Sequence, residues 1–243
     1  RSGAPGCRPA SAPPRSRAVA RGGERTPGPG ARPPELARRL APFEGFTAVA
    51  GWPRGTDLIA ASVAQFVRGC GATPVHVVSV GSGPAIDLQR ACAALTEAER
   101  RRLRITLLDL DPVALDHARR RLSPLADPPQ LRPVRENLFR LAQPGRSNDA
   151  LREADFLVCS GLFDYLDDAA TAAMLSRFWE SLRPSGQALV FNFAPHNPSR
   201  AYMEWIGNWY LTYRTEAQFR DVAARAGIPR GCVTVAAEAS GVD

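Results

Sequence analysis

The chain contains no lysine, so all 31 of its strongly basic residues are arginines. Chemistry that runs through a lysine amine, such as Schiff-base formation, is excluded on composition alone. Long apolar runs are also missing: nothing approaches the roughly 18 uninterrupted apolar residues of a membrane-spanning helix. No charged-then-apolar leader precedes a cleavage-like site, and the expectation is a soluble, cytoplasmic protein without a membrane partner. Histidine is scarce, and the three, at 76, 117 and 196, show no metal-ligand spacing. The five cysteines, at 7, 70, 92, 159 and 232, include no C-x-x-C pair. Neither a zinc knuckle nor a disulfide framework is indicated; isolated, core-directed thiols and no metal site are expected.

Acidic residues are nearly absent from one end. Residues 1–34 hold Arg1, Arg8, Arg15, Arg17, Arg21, Arg25 and Arg32 against Glu24, so most of the formal net charge of +7 sits there and residues 35–243 are close to neutral. The same stretch is dense in proline and glycine, with too little apolar content to offset the entropy of ordering a chain. It reads as a disordered tail ahead of one domain over 35–243, a length that one core can serve. Nucleic-acid binding would need the arginines on a folded face, where they could neutralise phosphates, so no nucleic-acid partner is expected. Arginine without lysine, beside abundant alanine, glycine and proline, is more simply a mark of GC-rich coding. The chain opens on Arg1 rather than Met, as a fragment would.

From residue 35 the pattern alternates strand and helix. Thr56 and Asp57 are N-cap candidates for a helix that puts Ile59, Val63, Phe66 and Val67 on one face and ends at Gly69 and Gly71. Val75 to Val80 is a short β-branched run, as in a strand covered on both faces. Pro84 opens a helix toward Leu95, Ile105 to Leu110 is a strand, and Pro112 opens a helix to about Leu122. Strands follow at Leu131 to Val134 and Asp155 to Cys159. Next come a helix over Asp168 to Leu182, with Met174, Leu175, Phe178 and Leu182 inward, and a strand over Gln187 to Phe193. Thr215 with Gln218 makes a capping box for a helix reaching Ala226, and Val233 to Ala237 reads as a last strand. Repeated βα units predict an α/β fold: a doubly wound, mostly parallel sheet with helices on both faces.

In such sheets ligands bind beyond the carboxyl ends of the strands. The first strand of the alternation ends on Gly81-Ser82-Gly83-Pro84, where missing side chains let backbone approach a ligand. A dinucleotide fingerprint would need a small residue where Ile86 stands. A nucleophile elbow built on Ser82 would need glycine at Val80. A third reading is an S-adenosylmethionine (SAM) turn, with Asp87 a few residues on and an acid ending the second strand. Leu107-Leu108-Asp109-Leu110-Asp111-Pro112 supplies that acid, and a carboxylate there can accept both ribose hydroxyls. Asp109 is preferred; Asp111 is placed to cap the helix opened by Pro112.

These residues resemble the class I SAM-dependent methyltransferases over roughly positions 57 to 238. The run VSVGSGPAIDL, ending at Leu88, is similar to that family's first motif, and LLDLDPVALDHARRRL, 107 to 122, to its second. The resemblance implies SAM as cofactor, bound by Gly81, Ser82, Gly83 and Asp109. It places Asn137 of ENLF at the adenine, and CSGLFDYLDD, 159 to 168, with Ser160 and Gly161, along the methyl-transfer site. Taken together, GLFDYL, FNFAPHNPSRAYMEW and WYLTYRT are similar to bacterial 3-hydroxypalmitic acid methyl ester biosynthesis methyltransferases, which implies a fatty-acid carboxylate as acceptor. The family usually closes its sheet with a long hairpin; here the chain stops soon after Ala237, so the closing strand is expected to be missing and a sheet edge exposed.

Residues 194–214 are too long for a simple connection. Tyr202, Trp205, Trp209 and Tyr213 recur at spacings of three and four, which predicts one stripe of an amphipathic helix, packed on the core or serving as a lid over an apolar acceptor. A carboxylate acceptor is ionised at neutral pH and needs orientation rather than a base, for which Arg200 and Arg214 offer planar forks. A phenol or amine acceptor would want a base, and His196 is the candidate. Asp164 and Tyr165 stand where they could contact the SAM amino group or the acceptor, and Asp164 could equally cap local turns. The leading expectation is O-methylation of a carboxylate on a small apolar acid. The alternatives are another small-metabolite methyltransferase using His196, and a SAM-binding homologue without catalysis.

Overall fold

The computed structural model describes residues 42–43, 52–125, 130–141, 143 and 149–237. The tail expected over 1–34 lies outside the described residues, as do Cys7 and residues 241–243. Strand β1 (Pro42–Phe43) is followed by α1 (Trp52–Gly69), β2 (Val75–Val80), α2 (Ile86–Ala93), α3 (Glu97–Arg100) and β3 (Leu103–Asp109). Then come α4 (Pro112–Leu122), β4 (Leu131–Arg135), α5 (Leu138–Leu141), β5 (Ala154–Cys159), α6 (Asp168–Ser181) and β6 (Leu182–Val190). The run closes with α7 (Arg200–Trp205), α8 (Glu216–Arg225) and β7 (Ala236–Ala237).

Five strands form one sheet in the order β4-β3-β2-β5-β6, and every pairing in it is parallel. Alternate side chains feed two cores, the consequence of the two-residue period of a strand. Val75 and Val77 of β2, Ile105 and Leu107 of β3, and Phe156 and Val158 of β5 pack with Ile59, Val63 and Val67 of α1, Leu88 of α2 and Leu115 of α4. Val78, Val80, Leu108, Leu157 and Cys159 face the other way, onto Met174, Leu175 and Phe178 of α6 and Phe219 and Val222 of α8. The doubly wound architecture is therefore as the sequence predicts. All six residues of β2 are buried, His76 and Ser79 among them, as expected of a strand covered on both faces. Edge strand β4 carries Pro133, which a central strand could not tolerate.

Several boundaries differ from expectation. Helix α1 begins at Trp52, so Thr56 and Asp57 lie inside it rather than capping it. Pro84 does not open α2: the chain passes through a left-handed Ala85 (φ 50) and turns helical at Ile86. Strand β6 starts at Leu182, the residue expected to end α6, because Leu182 pairs with Ala154. The last strand shrinks to two residues, paired in parallel with β1. The aromatic stripe is not one helix. Helix α7 stops at Trp205, where the N–H of Gly207 donates to Tyr202 O at 3.1 Å and that of Trp209 to Met203 O at 2.9 Å. A Cβ at Gly207 would lie 2.8 Å from Met203 O, so only glycine permits this closure; left-handed Asn208 (φ 46) follows. Trp209 and Tyr213 thus fall on irregular backbone.

Among the described residues no helix is long and apolar enough to cross a membrane, and no cluster of three or more His, Cys, Asp or Glu side chains could hold a metal ion. Cys70, Cys92 and Cys159 are free thiols, the last two buried.

Candidate functional site

The carboxyl ends of β2, β3, β4 and β5 meet at one edge of the sheet. After Val80 the chain turns through Gly81 (φ 68) and Gly83 (φ 48), conformations that L side chains adopt only with strain. The N–H groups of Gly81 and Ser82 donate to Leu108 O at 2.8 and 3.1 Å, binding the turn to β3. The Gly83 N–H donates to Asp109 Oδ2 at 2.8 Å, and the Asp111 N–H to Asp109 Oδ1 at 3.0 Å. The Asp109 carboxylate is thereby held in place by two backbone amides, one on each oxygen. Asp111 caps α4, accepting from the Val113 N–H at 2.8 Å, the capping place that the sequence suggests for it.

Asn137 lies two residues past β4, immediately before α5. The preceding residue, Glu136, donates its N–H to Asp109 O at 2.9 Å, while Asn137 Oδ1 accepts from the Phe139 N–H at 3.1 Å. Leu138 closes against the turn: a Cβ on Gly81 would meet its Cδ1 at 3.5 Å. Ser160 and Gly161 follow β5, the neighbour of β2, and both are exposed. A Cβ built on Gly83 or Gly161 would meet nothing within 4 Å, so open space lies over the turn and over the loop facing it. Ser82 Oγ is buried with no hydrogen-bond partner among the described residues, an orphan that a polar ligand can satisfy. Asp87, in the first turn of α2, accepts from the Leu88 N–H at 2.7 Å, and burial pushes its carboxyl up.

A second side of the site is built from the loop after β5, the end of β6 and the segment before α8. Asp164 is buried, its Oδ1 accepting from Asn192 Nδ2 at 2.8 Å and the Phe193 N–H at 2.7 Å. Burial raises its pKa to about 7, against the pull of the Phe193 amide and the Arg214 guanidinium. Arg214 corrects an expectation: it is 1% exposed and its fork is committed to protein. Its Nε reaches Asp168 Oδ1 at 2.9 Å, Nη1 reaches Phe163 O at 3.0 Å and Asn192 Oδ1 at 2.6 Å, and Nη2 reaches Leu166 O at 2.7 Å. It is a structural clamp, not a free fork for an acceptor carboxylate. Arg200 remains at the surface, with Nε on Glu204 Oε1 at 2.8 Å and its guanidinium 4.4 Å over the Tyr213 ring. Burial, then the Glu204 carboxylate, pushes the Tyr213 phenol up.

Tyr165 and Trp209 meet across the two loops, Trp209 Nε1 donating to Tyr165 Oη at 3.0 Å, and Phe193 packs edge-on to Trp209 at 6.3 Å between ring centroids. Tyr202 and Trp205 are brought to neither group; both point outward, Trp205 with 84% of its surface exposed. His196 sits exposed in the turn closed by the Asn197 N–H on Ala194 O at 3.2 Å. Two residues that the sequence reading passed over, Asn192 and Phe193, lie at the centre of this side. The available signal was Asn192 itself, a polar break in the otherwise apolar ALVFNF. A separate cavity of about 1040 Å³ between α1 and α2, lined by residues such as Asp57, Ala64, Arg68 and Arg90, shares no residue with this site.

The family described as methyltransferase domain matches residues 78–188, a segment that holds the glycine turn, Asp109, Asn137 and the loop after β5. No curated protein matches the chain. Among solved structures, it is similar to a possible exported protein from Bordetella parapertussis, at 25% identity and TM-score 0.51, over 70% of this chain and 62% of that one. It is similar to SibL, an S-adenosylmethionine-dependent methyltransferase in its apo form, at 18% identity and TM-score 0.52, over 74% of this chain and 50% of that one. A third is the magnesium protoporphyrin IX methyltransferase of Synechocystis with bound SAH, at 18% identity and TM-score 0.50, over 71% and 72% of the two chains. The chain thus spans 62% and 50% of the first two structures. The fold is the Rossmann-like fold of the SAM-dependent methyltransferases. The family match, the open glycine turn, the pinned carboxylate and the orphaned Ser82 hydroxyl together support SAM as the cofactor.

Proposed function

We propose that this chain is a SAM-dependent methyltransferase that acts in the cytoplasm on the carboxylate of a fatty-acid-like or other small apolar acid. The observation that carries it is the Gly83 amide locked onto the Asp109 carboxylate inside the segment that matches the methyltransferase domain. Gly81, Ser82 and Gly83 would hold the cofactor by close backbone approach, Asp109 by accepting ribose hydroxyls, and Asn137 beside the adenine, with Ser160 and Gly161 lining the opposite loop. SAM supplies a methyl group on a sulfonium, ready for in-line displacement by an oxygen nucleophile.

The protein's own work is then positioning and exclusion of water. A carboxylate is already anionic at neutral pH, so no side chain has to remove a proton. Arg200 supplies the exposed cation that orients it, carried on the Tyr213 face. Tyr165, Trp209 and Phe193 form an aromatic wall suited to an apolar chain. With residues 35–243 close to neutral, a small molecule rather than a nucleic acid is the partner this surface suits.

A second reading takes a phenol or amine as acceptor with His196 as general base, favoured by its exposed place on the turn after β6. Methyl transfer to decanoic and hexadecanoic acids, followed in wild type and His196→Ala, separates the two. Ester formation that survives in His196→Ala supports the base-free route, and loss of activity on every accepted substrate sinks it. Calorimetric SAM binding with no turnover over a broad acceptor panel would favour a non-catalytic SAM-binding protein. No SAM binding at all would remove the methyltransferase reading.

A further inference from the structure

We propose that Asn192 is a positioning residue for the acceptor: it locks the loop after β5 to the segment before α8, and so sets the Tyr165–Trp209 contact against which the acceptor is held. This deepens the methyltransferase reading and rests on it.

Asn192 lies two residues past β6 and is 2% exposed. Its Nδ2 donates to Asp164 Oδ1 at 2.8 Å, Thr212 O at 2.8 Å and Phe193 O at 3.2 Å, while its Oδ1 accepts from Arg214 Nη1 at 2.6 Å. Only a primary amide offers donor and acceptor faces in this fixed plane. The partners close on one another: the Thr212 N–H donates to Asp164 O at 2.8 Å, and Arg214 grips Phe163 O and Leu166 O on either side of Asp164 and Tyr165. Three chain segments that are far apart in sequence are thereby fixed by one side chain.

The consequence reaches the site directly. Tyr165 stands between Asp164 and Leu166, both held by the cluster, and its Oη takes the Trp209 indole N–H. Phe193, whose N–H is also on Asp164, supports the Trp209 ring. A buried polar cluster is costly unless every member is satisfied, and the neighbouring Leu189 and Phe191 show that this strand can carry apolar residues in the core. The cluster stands at the carboxyl end of the sheet, where a ligand binds. That Asp164 titrates near neutrality makes its geometry dependent on the donors around it.

Asn192→Asp tests the role with little change of shape. It keeps an acceptor for Arg214 and replaces the donor facing Asp164 by a second carboxylate. The charged groups facing it are Asp164 and Arg214, with Asp168 and Arg225 beyond Arg214. At pH 8 the KM for decanoic acid should rise roughly tenfold, the size of one lost buried hydrogen bond, with kcat less affected and SAM affinity within about twofold of wild type. At pH 6 the two carboxylates share one proton, which restores the hydrogen bond between positions 192 and 164, and KM should move back toward wild type. Trp209 emission, taken as the difference from Trp209→Phe, should shift in Asn192→Asp at pH 8 and less at pH 6, a readout that needs no turnover. Exposed Tyr165→Phe should raise KM in the same direction without rescue by pH. Should Asn192→Asp not fold, Asn192→Ser, which keeps one donor and one acceptor, serves for the same KM and emission measurements. Unchanged KM and emission in a folded Asn192 variant, or SAM binding weakened as much as acceptor binding, overturns the proposal. Wild-type protein that binds no SAM overturns the methyltransferase reading instead.

Discussion

The Gly83 N–H lies 2.8 Å from Asp109 Oδ2, so the glycine turn and the acid of the next strand are one unit although separate in sequence. The carboxylate is oriented before any ligand arrives, and the turn is held open by the same bond. Asp109→Asn would set an amide N–H against one of two backbone donors and remove the charge. SAM affinity should fall by roughly tenfold to a hundredfold, as for loss of a charge-assisted hydrogen bond, and stability should fall by about 1–3 kcal/mol, because one backbone donor loses its acceptor. Calorimetry with SAM checks it; unchanged affinity would show that Asp109 only shapes the turn.

Gly83→Ala separates backbone strain from ligand space. The left-handed φ of 48 at Gly83 should cost about 1 kcal/mol of stability with alanine. The added Cβ meets no protein atom within 4 Å, so a loss of SAM affinity larger than the loss of stability would locate the ligand over this turn. Paired thermal melts and titrations decide it, and equal losses would place the ligand elsewhere.

The glycine turn and its acid were legible because they are local. A β-branched run, a glycine turn and an acid ending the next strand each follow from backbone needs a few residues long, and the parallel sheet then brings Gly83 to Asp109. The acceptor side was not. Arg214 reads in the sequence like any arginine near a helix start, and only tertiary contacts with Asn192, Phe163, Leu166 and Asp168 turn it into a buried clamp. The spacing of Tyr202, Trp205, Trp209 and Tyr213 suggested a single helix, but Gly207 and Asn208 end α7 after Trp205. Glycine and asparagine were both visible as terminators; the periodicity outweighed them.

The two arginines should therefore behave oppositely on substitution. Arg214→Ala leaves the Asn192 amide and two backbone carbonyls without their donor and removes one of the two arginine partners of Asp168, and should cost about 3–5 kcal/mol of stability, as breaking a buried charged network does. Arg200 is exposed, with a surface partner in Glu204, so Arg200→Ala should change stability by less than about 1 kcal/mol while raising KM for a carboxylic acid. Denaturant unfolding and acceptor kinetics on both variants test the pair. A stable Arg214→Ala protein with raised KM would reverse the assignment.

Asp164 gives stability a pH dependence that a substitution can isolate. Its pKa is about 7 in the fold against an ordinary 3.8, burial being the first cause, so between these values the native state holds a proton that the unfolded chain releases. This group's contribution to stability is therefore lost as pH rises through that window. His76 acts the other way: burial, then Arg104, lowers its pKa, and the stability it contributes is lost as pH falls below the usual histidine range near 6.5. Asp168, held low first by its hydrogen bond to Arg214, matters only below the ordinary carboxylate range. Wild type alone would show a mixture of these trends, whereas Asp164→Asn removes one of them and keeps an oxygen for the Phe193 and Asn192 donors. Relative to wild type, Asp164→Asn should become progressively more stable between about pH 4 and pH 7 and level off above it. Denaturant midpoints measured across that range check the prediction, and a stability difference that stays flat with pH would mean that Asp164 is charged throughout.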